Sequence, residues 1–295
     1  MILNVSGRTD IVAFYSEWFY NRYKEGFIDV RNPFNPKLVS RINLEDVDLI
    51  MFCTKNPKPI LRYIKELHHP ILFHITLTPY LKDIEPNVPD KKEVIENIKE
   101  LSNILGKENV VVRYDPVFLS EKYNPQYHKK VFERLCSQLE GYIETIIISF
   151  IDDYKNVRNN KNTLQHKDFL EEDYKEIGEN FSASARNHKM KVQTCFEERN
   201  LKEYDFSIGE CISSELAYQM TGKKYPKWKA RKENLCNCVQ MVDIGTYNTC
   251  SHFCKYCYAN YDEKKVKENR EKHNPKSSLL IGELESDDVI KIRKK

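Results

Sequence analysis

The sequence predicts an α/β fold, a single parallel (β/α) barrel of TIM-like type, partial or full, and three observations carry that expectation. Short β-branched runs alternate along the 295-residue chain with longer stretches of helical period, the pattern of repeated βα units. Several of the short runs are almost continuously apolar, as strands covered on both faces must be. Polar residues then gather just past the carboxyl ends of those runs, where the loops of parallel α/β folds converge.

Taken in order, the expected strands are Ile2–Ser6, Leu49–Cys53, Ile71–Leu77, Val110–Tyr114, Thr145–Phe150, Met190–Cys195 and Val239–Ile244. Helices are expected at roughly Ile11–Lys24, Pro59–Leu67, Lys91–Leu105, Pro125–Leu139, Lys167–Asn187 and Ser214–Thr221. For Lys91–Leu105, Asp90 with Glu93 reads as a capping box and Gly106 as the stop. For Pro125–Leu139, Asn124 is the expected cap, Gly141 the terminator, and Val131, Leu135 and Leu139 the core stripe. No repeat, low-complexity tract or Gly/Ser linker divides the chain. Residues 1–262 therefore read as one barrel that includes the cysteine loop at 250–257, and residues 263–295 as a charged C-terminal extension whose last five residues fray.

Composition narrows the classes. Hydrophobic residues are 40% and charged residues 31%, with 18 Tyr and 14 Phe, which excludes a disordered chain. Against 47 basic residues stand 44 acidic ones, so a net charge of +3 provides no global field toward nucleic acid or an anionic membrane. The first residues meet Arg8 and Asp10 before any long apolar stretch, and no run reaches spanning length, so the expectation is a soluble, cytoplasmic protein with no membrane partner. Nine cysteines in a reducing compartment, with C-x-C and C-x-x-C spacings, point to metal rather than disulfides.

The polar groups at the strand ends are Arg8-Thr9-Asp10, Thr54-Lys55-Asn56, Thr78, Arg113 with Asp115, Asp152-Asp153 and Glu197-Glu198. Any one of these reads as a cap or a surface ion pair; placed together they outline a site. Arg113, Asp115 and Glu197 are the candidate catalytic residues, with Arg8 and Asp10 candidates for cofactor or substrate contacts. His74, inside an apolar strand, reads as a hydrogen-bonded core histidine.

After the last expected strand the chain runs Cys250-Ser-His-Phe-Cys254-Lys-Tyr-Cys257, a C-x₃-C-x₂-C loop. Three thiolates on one short loop suit a [4Fe–4S] cluster whose fourth iron stays open to a non-protein ligand. A structural zinc site completed by Cys236 or Cys238, or a set of unliganded core thiols, fits the same spacing. Cys195, Cys211, Cys236 and Cys238 form a further four-thiol set, suited to a second [4Fe–4S] cluster or to zinc. Cys53 and Cys136 lie in apolar patterns and read as buried inert thiols.

The cysteine loop resembles the signature of the radical S-adenosylmethionine superfamily, including Tyr256 before the third cysteine. Thr54-Lys55, Leu77-Thr78-Pro79, Glu85-Pro86 and Arg113-Tyr114-Asp115-Pro116 extend the likeness to its spore photoproduct lyase-like branch. Nearly the whole chain also resembles a family of bacterial and archaeal proteins with S-x-R-T-D, N-P-F-N-P, T-K-N-P and R-Y-D-P motifs and a terminal cysteine loop. In most superfamily members the loop follows the first strand; here it follows the last, so the resemblance implies a circularly permuted barrel. It further implies S-adenosylmethionine as cofactor, bound by Lys55 and Tyr256, an electron donor of flavodoxin or ferredoxin type, and cleavage of the cofactor to a 5′-deoxyadenosyl radical that abstracts hydrogen from a substrate. A rival from another class is a binding protein stapled by zinc or a closed cluster, with aromatic and basic residues contacting nucleic acid.

Overall fold

The computed structural model describes residues 1–228 and 237–294, so Cys236 lies outside the described residues. Its strands are β1 (Ile2–Val5), β2 (Phe27–Arg31), β3 (Leu38–Asn43), β4 (Leu49–Thr54), β5 (Ile71–Thr76), β6 (Val110–Val117), β7 (Thr145–Phe150), β8 (Lys191–Thr194), β9 (Ser207–Ile208), β10 (Met241–Asp243) and β11 (Val289–Ile292). Eight of them make one sheet in the order β10-β1-β4-β5-β6-β7-β8-β9. Every pairing in it is parallel, the architecture of a partial (β/α) barrel. All the strands expected from the sequence are present. The two-residue β9 was too short to leave a pattern.

Alternation along each strand divides the core in two. Leu3, Val5, Ile50, Phe52, Phe73, Ile75 and Val112 face the helices in the larger cluster. Ile2, Leu49, Met51, Leu72, Val111 and Ile147 face the other way, where Ile212 and Ala217 cover them. Each such side chain contributes about 1.5–3 kcal/mol when fully buried, and both faces are needed because both sides of the sheet are covered.

The helices follow their sequence signals with instructive departures. Ile11–Lys24 is two helices, Ile11–Phe14 and Ser16–Glu25, interrupted where Tyr15 leaves helical geometry (φ −138°, ψ 25°). The Tyr15 hydroxyl there donates to the Thr249 carbonyl at 2.6 Å, inside the cysteine loop. Asp90 caps Lys91–Leu105 by accepting from Lys92 N, while Glu93 pairs with Lys58 instead of closing a capping box. Asn124 caps Pro125–Leu139 as expected, but the fully buried stripe is His128, Phe132, Leu135, Cys136 and Leu139, with Val131 at its margin. Lys167–Asn187 begins only at Glu171, and Pro59–Leu67 is reduced to Lys58–Leu61 and a short 3₁₀ turn at Ile64–Glu66.

A second sheet, β11-β3-β2, was not anticipated. Its strands mix charged residues with apolar ones, which hides them from a search for apolar runs. Arg41 forks onto Asp29 at 2.8 and 2.7 Å, and Arg31 pairs with Asp288, tying β11 to the body. Lys291 and Ile292 are therefore strand residues and not a frayed end. Earlier in the same segment, Trp18 Nε1 donates to the Ser277 carbonyl at 2.9 Å and Leu280 enters the main core. Among the described residues no helix is long and apolar enough to cross a membrane.

His128 shows how the core fixes a protonation state. Nε2 lies 3.0 Å from the Phe118 carbonyl, which only accepts, so Nε2 carries the proton and Nδ1 accepts from the Tyr114 hydroxyl, also at 3.0 Å. Burial pushes its pKa down to about 4. A histidine whose folded pKa lies below its unfolded one contributes stability that is complete above the unfolded value and lost as pH falls below it. Thermal melts of wild type between pH 7 and pH 4 should therefore show a loss of up to about 3 kcal/mol from this group. His128→Gln should start less stable and fall less steeply.

Candidate metal and cofactor site at the barrel mouth

The loops after β1, β4, β6, β7, β8 and β10 surround one cavity of about 470 Å³ at the carboxyl edge of the sheet. That volume suits a cofactor-sized ligand. Cys250, Cys254 and Cys257 all line it, as do Lys55, Asp10, Tyr256, Arg113, Asp115 and Glu197. Arg8 does not: its Nε bonds Asp243 Oδ2 at 2.5 Å and its Nη2 bonds the Asp243 carbonyl at 3.0 Å, bracing the turn after β1 against β10. Gly7 sits in that seam, where a Cβ would stand 2.8 Å from Asp243 Cγ.

The cysteine loop is pinned from several elements. Thr249 Oγ1 bonds Thr9 Oγ1 at 2.7 Å, Asn156 Nδ2 donates to the Cys257 carbonyl at 3.1 Å, Asn160 Nδ2 to Lys255 O at 3.0 Å, and Asn87 Nδ2 to Ser251 O at 2.8 Å. Asn248 and Phe253 turn the chain through left-handed geometry, both at φ 54°. Burial raises all three thiol pKa values; Asp10 and the other two thiols add to this at Cys250, while Lys55 offsets part of it at Cys254 and, with backbone hydrogen bonds from Ala259 and Asn260, at Cys257. A bound cation would reverse the balance, since a coordinated thiol is deprotonated.

Two buried carboxylates organise the surroundings. Asp10 accepts from Ala13 N, from Thr54 Oγ1 at 2.8 Å and from Lys55 N at 2.9 Å, and its Oδ2 lies 3.0 Å from His252 Nε2. It thus ties β1, β4 and the cysteine loop to one point and has little capacity left for a ligand. Glu85, 1% exposed, receives Lys55 Nζ at 2.7 Å and Thr78 Oγ1 at 2.7 Å, and is also bonded by Lys91 Nζ and the Tyr256 hydroxyl. Burial alone would raise its pKa, but the Lys55 and Lys91 ammoniums override that and hold it well below the usual range. Glu85 and His252 were not among the residues singled out at the strand ends. The usable signal was chemical: a buried Lys55 needs an anion.

Arg113 forks onto Asp115 Oδ2 at 3.0 and 2.7 Å and donates to Cys211 Sγ at 3.1 Å. Glu197 accepts from Phe150 N at 2.9 Å, and burial pushes its pKa up to about 8, with Asp152 and Asp115 adding to the effect. Asp153 instead faces solvent in a pair with Arg158.

Cys195, Cys211 and Cys238 form a second group, with their sulfurs all within 4.8 Å of one another. Cys195 and Cys211 sulfurs are 3.3 Å apart, and Cys211 N donates to Cys238 Sγ at 3.2 Å. Hydrogen bonds from Cys195 and Cys238, with Arg113 beside them, hold Cys211 well below its usual pKa, while the two donors are pushed up. This triad can bind a metal or a cluster. Among the described residues it is the group drawn that tight; the loop thiols at 250, 254 and 257 are spread more widely. His74 is a core histidine as expected: it is 1% exposed with the Cys211 backbone beside it, and it lines the same cavity. Cys136 is fully buried and Cys53 packs beside the triad.

No curated protein and no solved structure matches the chain significantly. One family model, described as a domain of unknown function (DUF1848), matches residues 2–259, spanning the sheet from β1 through β10 and both thiol groups. This chain therefore belongs to the DUF1848 family.

Proposed function

We propose that the protein is a radical S-adenosylmethionine enzyme, with a [4Fe–4S] cluster on Cys250, Cys254 and Cys257. The observation that carries this reading is the convergence of those three thiols with Lys55 and Tyr256 on one cavity at the carboxyl ends of a parallel sheet. The donor set fits: soft sulfur suits iron, three ligands leave one iron open, and the wider spacing suits a cube several bonds across better than a single ion. Strand order supports the permuted reading as well. β10, which feeds the loop, lies at the sheet edge beside β1, so in space it precedes the strand that precedes it in sequence.

Cys250, Cys254 and Cys257 would hold the cluster, and the chemistry it would supply is one-electron reductive cleavage of S-adenosylmethionine to methionine and a 5′-deoxyadenosyl radical. The protein's part is binding, orientation and exclusion of water. Glu85 anchors Lys55 and Tyr256 together beneath the loop, so both side chains are held in fixed positions from which the ammonium would bind the cofactor's carboxylate or ribose and the ring its adenine. Asp10 locks the backbone of Lys55 to the loop through His252. Arg113, Asp115 and Glu197 line the remainder of the cavity and are assigned to substrate, with Arg113 held by Asp115.

Purified without oxygen, the protein should be brown, carry iron with matching acid-labile sulfide, and after reduction by dithionite or a flavodoxin-type donor convert S-adenosylmethionine to 5′-deoxyadenosine. A preparation that holds the cluster yet leaves the cofactor intact would refute the assignment.

A further inference from the structure

We propose that Cys195, Cys211 and Cys238 hold one thiophilic divalent ion of the zinc type, in the cavity wall, with its remaining coordination position open to the cavity. The first argument is spacing. A single tetrahedral ion with metal–sulfur bonds near 2.3 Å separates its sulfurs by about 3.8 Å, whereas a four-iron cube holds them further apart. All three sulfurs lie within 4.8 Å of one another, and the Cys195–Cys211 separation is already 3.3 Å. The separations seen here are those of a single ion's ligands rather than of a four-iron cube's.

Chemistry supports the same conclusion. All three cysteines are free thiols, and they come from three separate segments, the end of β8, the stretch after β9 and the stretch before β10. Cys195 and Cys211 pack against the cluster of Ile2, Met51, Val111 and Ile147, and Cys238 is tied to them by the hydrogen bond from Cys211 N. Three thiolates on a divalent ion carry one net negative charge, and the Arg113 guanidinium, shared with Asp115, donates to Cys211 Sγ at 3.1 Å and steadies it. All three thiols face the cavity, so an ion among them is reachable from it. His74 and Arg113 line the same cavity beside Cys211, so the open position faces polar groups able to orient a water or a donor atom of the substrate.

The proposal is independent of the cluster on the cysteine loop, and the test removes that loop's thiols. The full chain carrying Cys250→Ala, Cys254→Ala and Cys257→Ala, purified without oxygen, should contain about one zinc per chain and no acid-labile sulfide. Adding Cys211→Ala should bring the metal to zero. Cobalt(II) substituted into the parent triple variant should give the intense visible bands of a tetrahedral site and thiolate-to-cobalt charge transfer. Imidazole should shift those bands, and Cys236→Ala should leave them unchanged. The cobalt spectrum is read without Cys211→Ala, so it stands if that variant misfolds. Four irons with sulfide, no bound metal, or a charge-transfer intensity that drops by about a quarter with Cys236→Ala and ignores imidazole would each overturn the proposal.

Discussion

Cys254→Ala is expected to abolish reductive cleavage of S-adenosylmethionine, a fall of at least about 10³-fold to background, while the fold survives. Two thiolates from one loop cannot retain a four-iron cube, so iron and sulfide should be lost together with activity. Cys254 is 6% exposed and lies in a small aromatic cluster at the barrel mouth with Tyr80, Phe118 and Tyr256, away from the strands' main apolar contacts. Truncation there costs about 1–2 kcal/mol, well within the stability of a domain this size. Cys136→Ala is the control: it sits among Phe132, Leu135 and Leu139 on a helix, and its loss should lower the melting temperature while leaving iron content and cleavage intact. Cleavage that persisted in Cys254→Ala, or was lost in Cys136→Ala with iron retained, would contradict the site.

The second large effect is expected at Glu85. Its carboxylate serves two buried ammoniums, Lys55 with 12% and Lys91 with 28% of its side chain exposed, plus Thr78 and Tyr256. Glu85→Ala leaves two positive charges facing one another with no anion between them. Breaking a buried pair in this way costs about 3–5 kcal/mol, because the survivor keeps its desolvation penalty without its Coulomb gain. Chemical denaturation should show that loss, and adding Lys55→Met should recover part of it. Since the folded Glu85 pKa is depressed, its contribution is complete above the unfolded carboxylate pKa and declines as pH falls below it. Glu85→Gln should therefore lose stability at pH 7 and converge on wild type in acid. Equal stability of Glu85→Ala and wild type at pH 7 would show that the network carries no load.

Most of the sheet was legible because its signal is local. A continuous run such as Leu49–Phe52 or Ile71–Ile75 fits only a strand buried on both faces, and Asn124 with Pro125 marks a helix start whatever surrounds it. The charged small sheet was invisible for the converse reason: Arg41 and Asp29 look like solvated surface residues until they are seen forked on one another. His74 was legible as a core histidine from its apolar strand neighbours, but its neighbours in space, Arg113 and Cys211, lie far along the chain and left no local signal.

By itself the sequence determined seven of the eight strands of the main sheet, most helix ends, the direction of that sheet and the presence of three thiols on one loop, since periodicity, caps and short spacings depend on residues a few positions apart. Only the tertiary structure decided that β10 lies beside β1, that Glu85, paired with Lys55, reaches Tyr256 across 171 positions, and that Cys195, Cys211 and Cys238 close to within 4.8 Å. Contacts at that separation are set by how helices and strands pack around a shared core, and no local pattern records which distant side chain will arrive to neutralise a buried charge or complete a set of ligands.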